Sequence, residues 1–307
     1  ACHHPPGSWK PPGFSNPAEL ARVVFREHID CMMRGIAGLL AVAALLLPGR
    51  VASGAPVEEV RGGAAQVGVI PVQAEISKPG LFILRRGLKE AAARGVDGVV
   101  LDIGVSSMQI DTAERGFSFQ ADGPLDMRMN RNGGQSAAEL IATADEVKLA
   151  SILYEYGELR NSRALAAQLV RQRENAPIHT TFGLMKALER FAPKFKDHKF
   201  YAQVFQAFRI EVNQELQVLK DFLEQAAQVL KPGGHLVVMS YHSLEDRLVK
   251  NFMKRGSFSG ELDKDFFGNV NKPFSEVNRH PIVADEQECA LNSRARSAKL
   301  RIAKRNG

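Results

Sequence analysis

Cysteine is scarce in this chain of 307 residues: Cys2, Cys31 and Cys289 lie far apart. No pair has metal-ligand or redox spacing, and an odd, scattered set builds no disulfide framework. Isolated thiols in a reducing compartment are expected, with no metal bound. No apolar run reaches the roughly 20 residues that cross a bilayer. A nucleophile elbow is also lacking, because Met108 stands where the second glycine of Gly104-Val-Ser-Ser-Met108 is needed. No Ser/His/Asp order stands out either, which argues against a hydrolase.

What is present is ordinary globular material, 45% hydrophobic and 24% charged, long enough for a sizeable core. The net charge of +6 and a pI near 9.3 suit a polyanionic partner.

The first 80 residues differ from the rest. Residues 1–17 have the Pro/Gly content of a tail, so His3 and His4 are read as tail rather than metal site. Ile36-Ala-Gly-Leu-Leu-Ala-Val-Ala-Ala-Leu-Leu-Leu47 follows a basic start at Arg34 and precedes the small residues Ala52-Ser-Gly-Ala55. It reads equally as a targeting segment or as a buried helix. Gly62-Gly-Ala-Ala-Gln-Val-Gly68 only superficially resembles a phosphate-cradling loop and is read as linker.

Signals sharpen from residue 81. Leu88-Lys-Glu-Ala-Ala-Ala-Arg94 is helical, and Val99-Val-Leu-Asp102 is a short apolar run ending on a carboxylate, as in a buried parallel strand. Ligands of open α/β sheets sit at that carboxyl edge. Arg115-Gly-Phe-Ser-Phe-Gln-Ala-Asp-Gly-Pro-Leu-Asp-Met-Arg-Met129 is a dense loop. Its Phe and Arg residues suit base stacking and phosphate pairing, or else a turn with two core phenylalanines.

A run of helices covers 136–200. Ser136 with Glu139 and Thr143 with Glu146 have capping-box spacing, and Thr181 starts a helix after Pro177. Pro193-Lys-Phe-Lys-Asp-His-Lys199 is a basic loop, solvated or facing phosphate. One long helix is expected over about 202–230, with Val212, Leu216, Leu219, Leu223, Ala226 and Leu230 on its apolar face, stopped by Lys231-Pro-Gly-Gly234. Leu236-Val-Val-Met239 is a second buried strand. It leads into Ser240-Tyr-His-Ser-Leu-Glu-Asp246, where Ser243 and Asp246 could box the next helix. The segment after residue 288 carries Arg294, Arg296, Lys299, Arg301, Lys304 and Arg305, and reads as a phosphate-attracting tail or a solvated end.

In order, the strings at 99–111, 114–129, 156–166, 205–215, 230–250 and 293–301 resemble the ribosomal RNA small-subunit methyltransferase H family, the 16S cytosine-N4 methyltransferases. The likeness covers about 81–305. It implies an α/β class I S-adenosylmethionine-dependent fold, a mostly parallel Rossmann-like sheet, with core segments 81–124 and 206–307 and a helical RNA-binding insertion at 125–205. It places S-adenosylmethionine near Asp102 and Gln109, with Phe82 as a third match; loop position adds Gly104, in the segment expected to frame the methyl group. Small-subunit ribosomal RNA or the assembled subunit is the implied partner; a homodimer is left open, and no stable membrane partner is expected.

Loop position nominates Asp126, Ser240, Tyr241 and His242 around the reacting cytosine. Arg115, Arg128, Arg294, Arg296, Lys299 and Arg301 are the candidates for RNA. The strand, Gly-Gly-His loop and acidic residue that open family members are not found in 1–80. The N-terminal half of the sheet is therefore expected to be incomplete, and a truncated or impaired RNA-binding relative is the alternative reading. A dehydrogenase on the same sheet lacks its fingerprint. The implied compartment is the bacterial cytoplasm, or a mitochondrion or plastid if the segment from Met33 is a targeting sequence.

Overall fold

The computed structural model describes residues 41–46, 58–62, 65–72, 98–102, 107–262, 272–291 and 293–307. Two compact units divide the chain: Ala1–Gln73 with Gly80–Gly104 and Leu219–Gly307, and Ala74–Pro79 with Val105–Val218.

The first unit opens with β1 (Ala41–Leu46), β2 (Glu58–Gly62) and β3 (Ala65–Val72), an antiparallel sheet in the order β1-β3-β2. This corrects two expectations. The apolar run containing Ala41–Leu46 is strand rather than helix, paired with Val67–Val72. The supposed glycine linker forms a hairpin, Arg61 opposite Gln66 and Gly62 opposite Ala65. Two residues join its strands, the length favoured for tight hairpins. The helix expected at 88–94 lies outside the described residues. The expected strand follows as β4 (Gly98–Asp102).

The second unit is helical. It contains α1 (Ser107–Asp111), α2 (Ala137–Thr143), α3 (Glu146–Glu155), α4 (Ser162–Asn175), α5 (Thr181–Leu188) and α6 (Asp197–Asn213). Leu149, Ile152 and Leu153 of α3, Leu165 and Leu169 of α4, Leu184 and Leu188 of α5, and Val204, Phe205 and Phe208 of α6 recur at helical spacing and form one buried core. Each such side chain contributes about 1.5–3 kcal/mol by leaving water.

Ser136 and Glu139 form the expected capping box. Thr143 does not cap α3: its hydroxyl donates to the Glu139 carbonyl, and Asp145 accepts from the Lys148 N–H instead. Helix α5 starts at Thr181 as expected, with Thr180 as its cap.

The long helix expected over 202–230 is two helices, α6 and α7 (Glu215–Val229). Gln214 between them adopts a left-handed φ of 53°. Its N–H bonds back to Glu211 and its side-chain amide donates to the same carbonyl, closing α6. The apolar spacing survives the break, because Leu219, Leu223, Ala226 and Leu230 are buried as expected.

Returning to the first unit, β5 (His235–Ser240) runs parallel to β4, with Asp102 opposite Met239. Helix α8 (Ser243–Arg255), β6 (Phe274–Glu276), β7 (Ile282–Val283), α9 (Glu286–Leu291) and β8 (Lys299–Arg305) follow. The strand order is β4-β5-β8-β6, with β7 also on β8. Every pairing of β8 is antiparallel, so among the described residues only β4 and β5 are parallel.

The basic segment read as a tail or solvated end is thus an inner strand. Residues Lys299-Leu-Arg-Ile-Ala303 alternate faces: Leu300 and Ile302 join Val237 and Met239 in one cluster, and Ala303 joins Leu236, Val238 and the α7–α8 residues in the other.

Candidate active site

The strand-to-helix turn after β5 stands at the carboxyl edge of the parallel pair. Ser240 is buried and its hydroxyl donates to the Lys299 carbonyl at 3.4 Å. The backbone N–H groups of Tyr241 and His242 both donate to Glu245 Oε2, at 3.0 and 3.3 Å. The Glu245 N–H reaches back to His242 Nδ1 at 3.4 Å, and His242 Nε2 lies 3.1 Å from Glu245 Oε1. The cap of α8 is therefore His242 with Glu245, not the expected Ser243 with Asp246. Histidine can serve as a cap because an unprotonated ring nitrogen accepts as a hydroxyl does.

Asp246 faces the sheet instead. Its carboxylate accepts from Arg301 Nε at 2.6 Å and Nη2 at 3.1 Å, with Lys299 Nζ at 3.4 Å. Burial opposes its ionisation. The hydrogen bonds and charge of Arg301, with Lys299, outweigh that and hold the carboxyl below its usual range. Arg301, expected against phosphate, has a side chain 8% exposed and bound to this carboxylate. Lys299 is shared between the ion pair and solvent, and Arg296 is exposed.

In the second unit, the loop of residues 112–135 is drawn tight by two glycines. Gly116 has φ +71°, and a Cβ there would stand 2.3 Å from the Pro124 oxygen; one on Gly123 would stand 2.1 Å from the Ala113 oxygen. Only glycine lets these two arms approach so closely.

Arg115 turns inward, donating to the carbonyls of Arg128 and Met129 at 2.9 and 3.0 Å. Asn213, at the end of α6, donates to the Met127 carbonyl and accepts from the Met129 N–H. Between these clamps Met127 is fully buried at φ +58°. Arg128 follows it, gripping Asp126 at 2.6 and 3.2 Å.

Both Asp126 oxygens are thus engaged, and Arg131 stands 3.5 Å from one. Burial works against the charge, but the side-chain and backbone hydrogen bonds of Arg128, its charge and Arg131 keep the carboxyl below its ordinary value. Phe117 is buried, and Phe119 packs edge-on to His198 and Phe205, which favours the reading of this loop as a turn carrying core phenylalanines.

Gln109 is buried on α1. Phe82, Gly104 and the side chains of Asp102 and Arg294 lie outside the described residues. Sequence reasoning missed Glu245 and Asn213. The first was legible as the glutamate three positions after His242; nothing local marks the second, whose partners are 84 and 86 residues away. Among the described residues, no helix is long and apolar enough to cross a membrane.

A parallel pair with a built turn at its carboxyl edge, extended by an antiparallel inner strand, forms the sheet of a class I methyltransferase. The model of the MraW methylase family matches residues 76–306, and the chain belongs to that family. It is 56% identical over 210 residues to the "Ribosomal RNA small subunit methyltransferase H" of Cytophaga hutchinsonii, covering 68% of this chain and 70% of that protein. The proteins of the same name from Parabacteroides distasonis and Flavobacterium johnsoniae are 52% and 47% identical, covering 68% and 72% of this chain and 69% and 73% of theirs.

Proposed function

We propose that this chain transfers a methyl group from S-adenosylmethionine to the N4 amine of a cytosine in small-subunit ribosomal RNA. The observation that carries this reading is the match of residues 76–306 to a methylase family whose named relatives act on that RNA. The fold supports it, because the carboxyl edge where β4 ends at Asp102 and β5 at Ser240 is where open α/β sheets take a ligand. The buried Ser240 hydroxyl and a turn already braced by Glu245 stand at that edge, polar groups of the kind a nucleotide-like cofactor requires. When bound, S-adenosylmethionine supplies an electrophilic methyl on a positive sulfur.

Asp102 and Gln109 are assigned to holding the cofactor, with Phe82 and Gly104 as their companions. Cytosine N4 is a weak nucleophile whose lone pair is delocalised into the ring, so acceptors for its N–H groups favour attack and receive the released proton. Tyr241 is given that place, and His242, whose two ring nitrogens both meet Glu245, is given the bracing of the turn instead of the proton-accepting role first expected. Asp126 is given a different one from the amine contact first expected: with both oxygens on Arg128, it orients that guanidinium toward the base or its phosphate. In-line alignment provides most of the acceleration.

The test is methyl transfer from labelled S-adenosylmethionine to small ribosomal subunits lacking the modification, followed by digestion to nucleosides. N4-methylcytidine is the expected product. Retained subunit binding without it would assign the chain RNA binding alone.

A further inference from the structure

We propose that the loop of residues 193–199 is a base-stacking finger, with Phe195 stacking on an unpaired base of the RNA and its lysine neighbours taking the flanking phosphates. The inference rests on the RNA substrate proposed above and adds a contact to it.

Phe195 is 100% exposed, where every other phenylalanine described is at least partly covered. It also sits at φ +65°, a left-handed backbone that bulky residues rarely adopt. Packing does not explain an aromatic residue in that position, since the ring packs on nothing.

The base of the loop, by contrast, is fixed. The Lys196 N–H closes a turn on the Pro193 carbonyl, and Phe200 N–H bonds the Lys196 carbonyl as α6 begins. Phe200 and Tyr201 are buried behind it. His198 stands edge-on to Phe119 with ring centroids 4.9 Å apart, tying the finger to the loop that carries Arg128.

Lys194, Lys196 and Lys199 are exposed around the tip, with Asp197 the one acid among residues 193–199. An aromatic face among cations is the pairing that single-stranded nucleic acid requires, because every base has a π-face and every linkage a negative charge. Duplex RNA offers no free face to stack on.

The test uses the full chain in a Trp9→Phe background, so that Phe195→Trp reports alone. Quenching of that tryptophan by single-stranded oligoadenylate, and not by the same strand in a duplex, is expected. Phe195→Gly suits the left-handed backbone and keeps the fold, yet should weaken single-strand binding by about tenfold. Lys194→Ala and Lys196→Ala should each flatten the salt dependence by roughly one phosphate contact.

Unchanged affinity in Phe195→Gly, or equal quenching by duplex, overturns the proposal. A change in sedimentation with RNA affinity intact would also overturn it, by assigning the loop to a second copy of the chain. These readings need no methyl transfer, so they stand or fall separately from the failure of the activity itself.

Discussion

Asp246 meets Arg301 at 2.6 and 3.1 Å; Asp126 meets Arg128 at 2.6 and 3.2 Å. The contacts are nearly identical, but their settings differ. The first pair joins residues 55 apart, helix to inner strand, with the side chains 12% and 8% exposed. The second joins residues two apart on one loop, and its arginine remains 24% exposed. Contact geometry therefore does not say what an ion pair does. A pair sealed between elements braces a fold, because loss of either partner strands a charge away from water. A local pair with an open arginine adds little stability and instead holds a donor in a fixed direction.

The strongest challenge to this contrast is Arg301→Met. It leaves Asp246 buried with only the half-exposed Lys299 at 3.4 Å for a partner and should cost about 3–5 kcal/mol, read as a lower urea midpoint. A loss below about 1 kcal/mol would erase the distinction. Asn213→Ala comes next. It orphans the Met127 carbonyl and the Met129 N–H and should cost about 1–3 kcal/mol in the same experiment, with reduced methyl transfer as the Arg128 loop loosens.

Asp126→Asn should change stability by less than about 1 kcal/mol, yet lower turnover with S-adenosylmethionine affinity unchanged. A matching loss of cofactor affinity would remove Asp126 from the RNA side. The last effect is in acid. The folded-state pKa of Asp246 lies below its ordinary 3.8, so its contribution is complete above that value and is lost as pH falls through the lowered one. Asp246→Asn should therefore flatten the acid limb of the stability curve.

The parts of the fold visible in advance were those set by local pattern. Val99-Val-Leu-Asp102 and Leu236-Val-Val-Met239 announced strands, and Ser136 with Glu139 announced a helix start. The burial of Leu219, Leu223, Ala226 and Leu230 followed from their spacing alone. What escaped notice depended on distant partners. Lys299-Leu-Arg-Ile-Ala303 has a strand's alternation, but its charges suggest surface until Asp246 is placed opposite Arg301. The break at Gln214 carries no glycine or proline to mark it. In the candidate site, the edge of the sheet was legible from the two strand ends. The clamp of Asn213 on the Arg128 loop was not, since it exists only once the chain has folded back across more than 80 residues.

The place of β8 also imposes a schedule. Of the sheet's described strands, β8, which lies between β5 and β6, is the last to be synthesised, so β5 and β6 must wait for the neighbour that separates them. At synthesis rates of about 5–20 residues per second, the 55 residues from Asp246 to Arg301 take roughly three to eleven seconds to appear. Through that interval the carboxylate is hydrated and the β5 edge has no β8 to pair with. The helical unit, whose sequence is already complete, has no such delay.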